Sequence, residues 1–379
     1  MKLAIISHTD HYTTHDGTIV GWSPTINEIN HLLDVFESIV HVAMHNDGNP
    51  PLSTMAYNSD RITFVSIPAV GGHSFFEKLK IIWHAPRIIK TVSKVLNQVD
   101  CFQLRTPTGI GVFLIPYLTF FVKKKGWYKY AGNWNQKDAP LGYRLQRLLL
   151  KHQKRKVTIN GHWDNQPKHC LSFENPCLTL KDITLGREIV KEKKVDRPIS
   201  FCFVGRLEKE KGVERIIKAF SQLSSDKKLK VGIVHLVGEG KNSNYYKTLS
   251  EDSGVHFIFH GALSRKDVFE VYSQSHVFLL PTTASEGFPK VISEAMNFGC
   301  IPIVSDISCI SYYIKHDING FLLKPVTVVN LIRQIQVIMN LTDKEYQALI
   351  NKQRELLESF TFTHYNKRVA SELLKLKAP

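Results

Sequence analysis

Short apolar, β-rich runs alternate with helix-length segments almost from end to end of the chain, and this alternation constrains its fold more than any other feature. In the first half the runs are residues 2–7, 39–43, 62–67, 99–104 and 156–160. In the second half they are 199–204, 231–237, 277–280 and 301–304. Helical candidates at 26–36, 76–96, 213–223 and 326–339 fall between or after them. Strand, helix, strand repeated this way predicts parallel sheets covered on both faces. The pattern restarts after a polar, charge-rich stretch, 180–198, which contains Lys191-Glu192-Lys193-Lys194. A chain of 379 residues is long for one domain. The expectation is therefore an α/β protein with two doubly wound, Rossmann-like domains, 1–180 and 181–379. Their ligands would bind in a cleft outside the carboxyl ends of the strands.

Lys and Arg outnumber Asp and Glu by 49 to 34, for a net charge of +15. Such a field favours anionic partners: nucleic acid, an acidic membrane surface or phosphorylated substrates. No zinc-finger spacing, RNP-type aromatic motif or P-loop accompanies the charge, so nucleic acid is not expected as a partner. The six cysteines form no Cys-x-x-Cys pair and are expected to be reduced thiols. The first residues lack the long apolar run of a secretory signal. The longest apolar stretch, 110–122, contains Pro116 and is too short to span a bilayer, so a buried helix is expected there. A cytoplasmic protein follows, at most peripheral at the inner face of the cytoplasmic membrane.

The strongest chemical signal is Ala284-Ser285-Glu286-Gly287-Phe288-Pro289-Lys290-Val291-Ile292-Ser293-Glu294, set between two apolar runs. It reads as strand, loop, helix, strand, with Pro289 at the first helical position and Gly299 as the stop. The amides of Gly287, Phe288 and Lys290, with the positive end of the helix dipole, would bind an anion. Glu286 lies beside that anion. Glu294, leaning toward the helix start, could accept two hydrogen bonds from a vicinal diol such as a ribose. The bland alternative makes Glu286 a helix-terminal charge and Glu294 a solvated residue. A second constellation, Gly205-Arg206 and Lys211-Gly212, follows the 199–204 run and puts two cations where a pyrophosphate can be held.

Together these residues resemble the family 4 retaining glycosyltransferases, with Gly205-Arg206 … Lys211-Gly212 and a Glu-x7-Glu signature at Glu286 and Glu294. Val237-Gly238-Glu239-Gly240, Phe259-His260-Gly261 and Asn319-Gly320-Phe321-Leu322 extend the resemblance over roughly 198–324. It implies the GT-B fold, with an N-terminal acceptor domain, a C-terminal nucleotide-sugar domain and a last helix crossing back to the first. It further implies that Arg206 and Lys211 neutralise the donor pyrophosphate and that Glu294 binds ribose. Glu286 would act on the transferred sugar with the amides of Gly287, Phe288 and Lys290 beside Pro289, and segments near Gly205, Gly238 and Gly261 would line the nucleotide site. Transfer with retention, no permanently bound cofactor and no metal are implied as well. Family precedent favours a UDP-sugar over a GDP-sugar as donor, and a saccharide or lipid-linked saccharide as acceptor in cell-surface glycan synthesis. A nucleotide-sugar epimerase of the same fold and a non-catalytic nucleotide-sugar-binding relative are the alternatives.

The N-terminal half is more individual. His8, His11 and His15 read as loop histidines, and packing is favoured over metal ligation. Gly17 lies in a small-residue segment suited to close backbone approach. Where many relatives carry a His facing the sugar, this chain has Arg105, which would contact a phosphate or acidic acceptor, or be a structural Arg. The run 127–135, containing Asn133, mixes aromatics and amides in a way that suits sugar recognition and a buried strand alike. Segment 144–156 is basic and amphipathic, and with Lys123-Lys124-Lys125 it could rest on anionic lipid or simply be a solvated face.

Overall fold

The computed structural model describes residues 1–72, 75–195 and 198–376. The chain forms two compact units. One is Met1–Glu174 with the segment from His364 onward, and the other is Asn175–Thr363.

The first unit begins with β1 (Lys2–Thr13), β2 (Ile19–Trp22), α1 (Ser23–Leu32), β3 (Ser38–His45), β4 (Thr54–Ala56) and β5 (Ile62–Pro68). It continues with α2 (Phe75–Leu96), β6 (Cys101–Thr106), α3 (Gly111–Phe120), β7 (Lys125–Tyr130), α4 (Leu141–Lys151), β8 (Val157–Asn160) and β9 (Cys170–Phe173). Its parallel strands stand in the order β5-β3-β1-β6-β7-β8-β9, and β2 and β4 join antiparallel beside the end of β1. Leu3, Ala4, Ile5 and Ile6 are all fully buried, as a central strand covered on both faces requires. Ala4 and Ile6 pack with Ile88 of α2, Leu114 of α3 and Leu150 of α4. Leu3 and Ile5 pack on the other face with Ile29 and Leu32 of α1.

The second unit runs α5 (Leu180–Glu192), β10 (Ile199–Val204), α6 (Val213–Ser221), α7 (Ser225–Lys228), β11 (Val231–Val237), α8 (Ser243–Glu251) and β12 (His256–Gly261). Then come α9 (Arg265–Gln274), β13 (Val277–Leu280), α10 (Lys290–Asn297), β14 (Ile301–Ser305), α11 (Ile310–Tyr313), β15 (Phe321–Leu323), α12 (Val328–Ile338) and α13 (Asp343–Leu357). Its six strands are parallel in the order β12-β11-β10-β13-β14-β15. After it, α14 (Phe362–Arg368) leads the chain back to the first unit. There Tyr365 stands edge-on to Phe173 at 5.7 Å, and Arg368 pairs with Glu174 at 2.8 Å. Each of the six cysteines is a buried thiol outside any disulfide.

The structure departs from the sequence expectations in three places. The charge-rich stretch after residue 180, read as the point where the pattern restarts, folds as helix α5, started by a reciprocal cap between Thr179 and Asp182. Its Gly186 lies so close to α10 that a Cβ would sit 2.3 Å from the Asn297 carbonyl oxygen. The aromatic run at 127–130 is the interior strand β7, with Trp127, Tyr128 and Tyr130 in the core, so these rings cannot face a sugar. His8 and His11 belong to the long strand β1 rather than to a loop, and that strand shifts register against β3 between Ile6 and Asp10.

One buried ionic cluster ties the first unit together. Lys129, on β7, is almost wholly buried and donates to Glu28 Oε1 of α1 at 2.5 Å. Arg105, on neighbouring β6, donates to the same oxygen at 2.9 Å and to Gln103 at 3.1 Å. The Lys129 ammonium also lies 4.8 Å over the Tyr365 ring, which joins the returning segment to the cluster. Removing the carboxylate would strand a buried ammonium. Glu28→Ala should therefore cost about 3–5 kcal/mol in urea unfolding. A cost near zero would mean that the cations relax into solvent.

Candidate functional site

The sheet of the second unit reverses its direction of growth between β10 and β13: the chain moves outward through β11 and β12, then returns to the other side of β10. Open α/β sheets bind ligands at such a reversal, outside the carboxyl ends of the strands. Two segments meet there. After β10 the chain makes a 3-10 turn at Lys209–Lys211 and passes through Gly212 at φ +89°. After β13 it runs through Pro281 to Pro289 and enters α10. The Glu210 carbonyl accepts from the Thr283 amide at 2.7 Å and the Thr282 hydroxyl at 3.0 Å, clamping the two segments. A Cβ on Gly212 would lie 2.2 Å from the Pro281 carbonyl oxygen, so only glycine permits this approach. The clamp brings the Lys211 ammonium into an ion pair with Glu286.

Pro289 is the residue just before α10, with φ −68° and ψ 126°, rather than the first helical residue expected. Its ring fixes only φ, and its extended ψ makes it the cap. The side chain of Phe288 turns inward, 4.6 Å from Tyr313 and 5.1 Å from Phe360 between ring centres. It can therefore offer a ligand only its backbone. Gly287 is buried, and Gly299 ends the helix at φ +74° as the sequence suggested. The start of α10 thus presents the backbone of 287–290 beside the Lys211–Glu286 pair.

Glu294 lies on α10, partly buried. Burial pushes its carboxyl above the usual glutamate range, while the nearby Arg265 and Lys290 charges pull the other way. Arg265 is itself fixed, donating to Asp182 at 2.8 Å and to the Cys177 carbonyl at 2.7 Å. Sequence reasoning missed Arg265 and Asp182. The available signal was modest: Ser264 and Thr179 each cap a helix from three residues before an Asp, which places both helix starts but not their meeting.

On the other side of β10 the backbone is packed closely. The Gly205 amide donates to Val237 at 3.0 Å, and the Gly238 amide donates to Gly261 at 2.8 Å. A Cβ on Gly238 would be 2.0 Å from the Gly205 carbonyl oxygen. Beside these glycines opens a pocket of about 640 Å³, whose walls include Arg206, Glu208, Glu239, Lys241 and Phe259. Arg206 is 71% exposed and pairs with Glu208 at 2.9 Å. The residues singled out in the second half therefore flank one sheet edge: Lys211 and Glu286 in contact, and Arg206, Gly205, Gly238 and Gly261 around the adjoining pocket.

The residues singled out in the first unit occupy separate elements. Gly17 is the positive-φ position of the turn joining β1 to β2, where its amide donates to Thr14 at 3.0 Å. Arg105 is committed to Glu28 and Gln103. Asn133 follows β7 and accepts from the Asn135 amide at 2.9 Å. The residue at this unit's own sheet reversal, between β1 and β6, is His8. Its Nε2 is 2.6 Å from the Val70 carbonyl oxygen, and burial lowers its pKa. Added Cβ atoms at Gly71 and Gly109 would lie 3.1 and 3.4 Å from the His8 ring. Among the described residues, no three His, Cys, Asp or Glu side chains cluster as metal ligands.

Comparison with known proteins bears on the family and the fold. Residues 186–356 match the family described as Glycosyl transferases group 1. A lipopolysaccharide 1,6-galactosyltransferase of Salmonella typhimurium is 25% identical over 214 residues, which take in 54% of this chain and 58% of that protein. The match thus spans little more than half the length of that relative. Among solved structures, HepE of Anabaena in complex with UDP superposes with a TM-score of 0.69 at 15% identity, over 99% of this chain and 100% of that one. The apo lipopolysaccharide outer core galactosyltransferase WaaB gives 0.67 at 17% identity, over 99% of each chain. The second unit therefore carries a domain of the glycosyl transferases group 1 family at residues 186–356, in a chain whose two parallel-sheet, Rossmann-like units share the GT-B fold of the solved neighbours.

Proposed function

We propose that this protein is a retaining glycosyltransferase that moves a sugar from a nucleotide-sugar donor to a saccharide or lipid-linked saccharide in cell-surface glycan synthesis. The observation that carries this proposal is the Lys211–Glu286 pair beside the start of α10, at the reversal point of the second sheet. On this proposal the C-terminal unit holds the donor and the N-terminal unit the acceptor. Lys211, Arg206 and the first amides of α10 take up the charge that builds on the departing diphosphate, without a metal. Glu294 accepts the ribose hydroxyls, and the pocket beside Gly238 and Gly261 takes the base. Glu286 is held by Lys211 until the donor phosphates compete for the ammonium, which frees the carboxylate for the sugar hydroxyls. UDP is the favoured nucleotide, since HepE was solved with UDP and the Salmonella relative is a galactosyltransferase.

Calorimetric titration with UDP, GDP and ADP, without metal, tests the donor assignment. UDP should bind most tightly, and Glu294→Gln should weaken it by about ten-fold through loss of a charged acceptor. Equal affinity for all three nucleotides, or none, contradicts the assignment.

Glu294 also gives a pH signature. Its folded pKa lies above the unfolded value, so the stability this group contributes is present at low pH and is lost as pH rises through the folded pKa. Glu294→Gln should therefore raise the melting temperature at neutral pH, and the gain should shrink as the pH is lowered into the carboxylate range. A melting temperature that falls at neutral pH would show instead that Arg265 and Lys290 outweigh desolvation.

Lys211→Ala should lower turnover in a labelled UDP-sugar transfer assay by about 10²–10³-fold, the usual loss for one preorganised charge partner. It should change UDP affinity much less. Nucleotide binding with no transfer by the wild-type protein to any glycan acceptor would favour the non-catalytic alternative. Retention is read from the anomeric configuration of the product, and inversion would contradict it.

A further inference from the structure

The positive charge is not spread over the chain. Residues 101–163 contain twelve Lys and Arg against one acidic residue, Asp138, so this segment holds most of the net +15. None of the proposed donor-site residues lies in it. The structure gathers much of this charge on one side of the first unit. The loop after α3 carries Lys123, Lys124 and Lys125, and the loop after α4 carries Lys154, Arg155 and Lys156. Both loops line one open groove of about 820 Å³, together with Phe120, Leu373, Leu374 and Lys375. Arg155 and Lys124 are used internally: Arg155 binds backbone carbonyls of Val122 and Lys124, and Lys124 binds that of Val99. Lys123, Lys125 and Lys154 are exposed. The groove lies at the amino ends of β7 and β8, away from the carboxyl edge where ligands of such sheets bind.

The same side exposes apolar surface that the core does not cover. Helix α4 packs on α3 and buries Gln146 and Leu150, yet Leu141, Leu145 and Leu148 are 80%, 42% and 55% exposed. Their spacing puts them in one stripe along the helix, with Arg144 and Lys151 exposed beside them. The stripe runs toward His152, which lines the groove. Phe120 and Phe121, at the end of α3, are more than 70% exposed. A solvated basic face needs no leucine stripe, and a protein-binding face is usually depleted in lysine. Leucines and phenylalanines beside exposed lysines match the interfacial region of a bilayer with anionic headgroups. Among the described residues no helix is long and apolar enough to cross a membrane, so the contact is one of lying on the surface.

We infer that the outer face of α4 and the adjoining groove at 123–125 and 152–156 form a docking surface for an anionic phospholipid bilayer. The leucines enter the headgroup boundary, and the lysines pair with lipid phosphates. Its residues belong to the first unit and none is a proposed donor-site residue, so it survives or fails independently of the transferase proposal.

Flotation of the full-length protein with vesicles, without any donor, tests it. Vesicles of equimolar phosphatidylcholine and phosphatidylglycerol should carry the protein up the gradient, and phosphatidylcholine alone should not. Added salt should weaken the association. The triple variant K123A/K125A/K154A should lose about a hundred-fold in partitioning, at the usual contribution of a lysine near an anionic surface. Leu145→Ser with Leu148→Ser should lose about ten-fold or more by removing the apolar contact. These residues are exposed, so both variants should keep the wild-type melting temperature, which separates lost docking from lost folding. Equal partitioning to neutral and anionic vesicles would overturn the inference. So would anionic binding that the leucine variant leaves intact and heparin abolishes, because the groove would then be a seat for soluble polyanions.

Discussion

The organisation of the second unit depends on one close approach, that of Gly212 to the Pro281 carbonyl. Two loops leave adjacent strands, β10 and β13, and must pass within van der Waals contact of each other. A residue with a side chain would hold them apart, and its positive φ would be strained as well. Because glycine allows the contact, the Glu210 carbonyl can take two hydrogen bonds from the threonines of the second loop. The lysine and the glutamate that follow from these loops then have no freedom to sit elsewhere. The ion pair of Lys211 with Glu286 is in this sense a consequence of backbone packing at the sheet reversal. A pair made by flexible surface side chains would carry little energy; this one is partly buried and set by its strands.

Behind that pair, a carboxyl group is held in a desolvating environment. Glu294 is kept on α10 in an environment that raises its pKa, and an apolar residue there would suit the fold better. Arg265, anchored by Asp182, offsets part of the cost at a distance. The ionic cluster of the first unit works differently. Glu28, Arg105 and Lys129 satisfy one another across α1, β6 and β7, and Tyr365 closes the cluster from the returning segment. Its role is to hold elements that lie far apart in the chain.

Much of this was legible before any coordinates. Long apolar runs such as 2–7, 199–204 and 231–237 announced central strands because burial on both faces leaves no polar alternation to confuse them. Edge and half-covered elements were harder. Strand β12 carries His256 and His260 and is only half-buried, so its pattern resembles a loop. Helix α5 buries only Gly186 and Val190, so its sequence shows polarity and charge with little apolar periodicity to mark a helix. In the candidate site, local motifs single out Lys211, Glu286 and Glu294. Arg265 could not be found this way, because its partner Asp182 is 83 residues away and the pairing exists only once α5 and α9 have packed. Arg105 was recognised as unusual, yet its commitment to Glu28, 77 residues upstream, is a fact of tertiary structure alone.

Amide hydrogen exchange with and without UDP tests whether the carboxyl edge of the second sheet is the proposed nucleotide-sugar site. The account predicts slowed exchange in three segments together: 205–212, 238–243 and the start of α10 from 287 to 294. Protection there, with little change in β14 and β15, would place the ligand across the β10–β13 reversal. Protection confined to the first unit, or none at saturating UDP, would contradict the account.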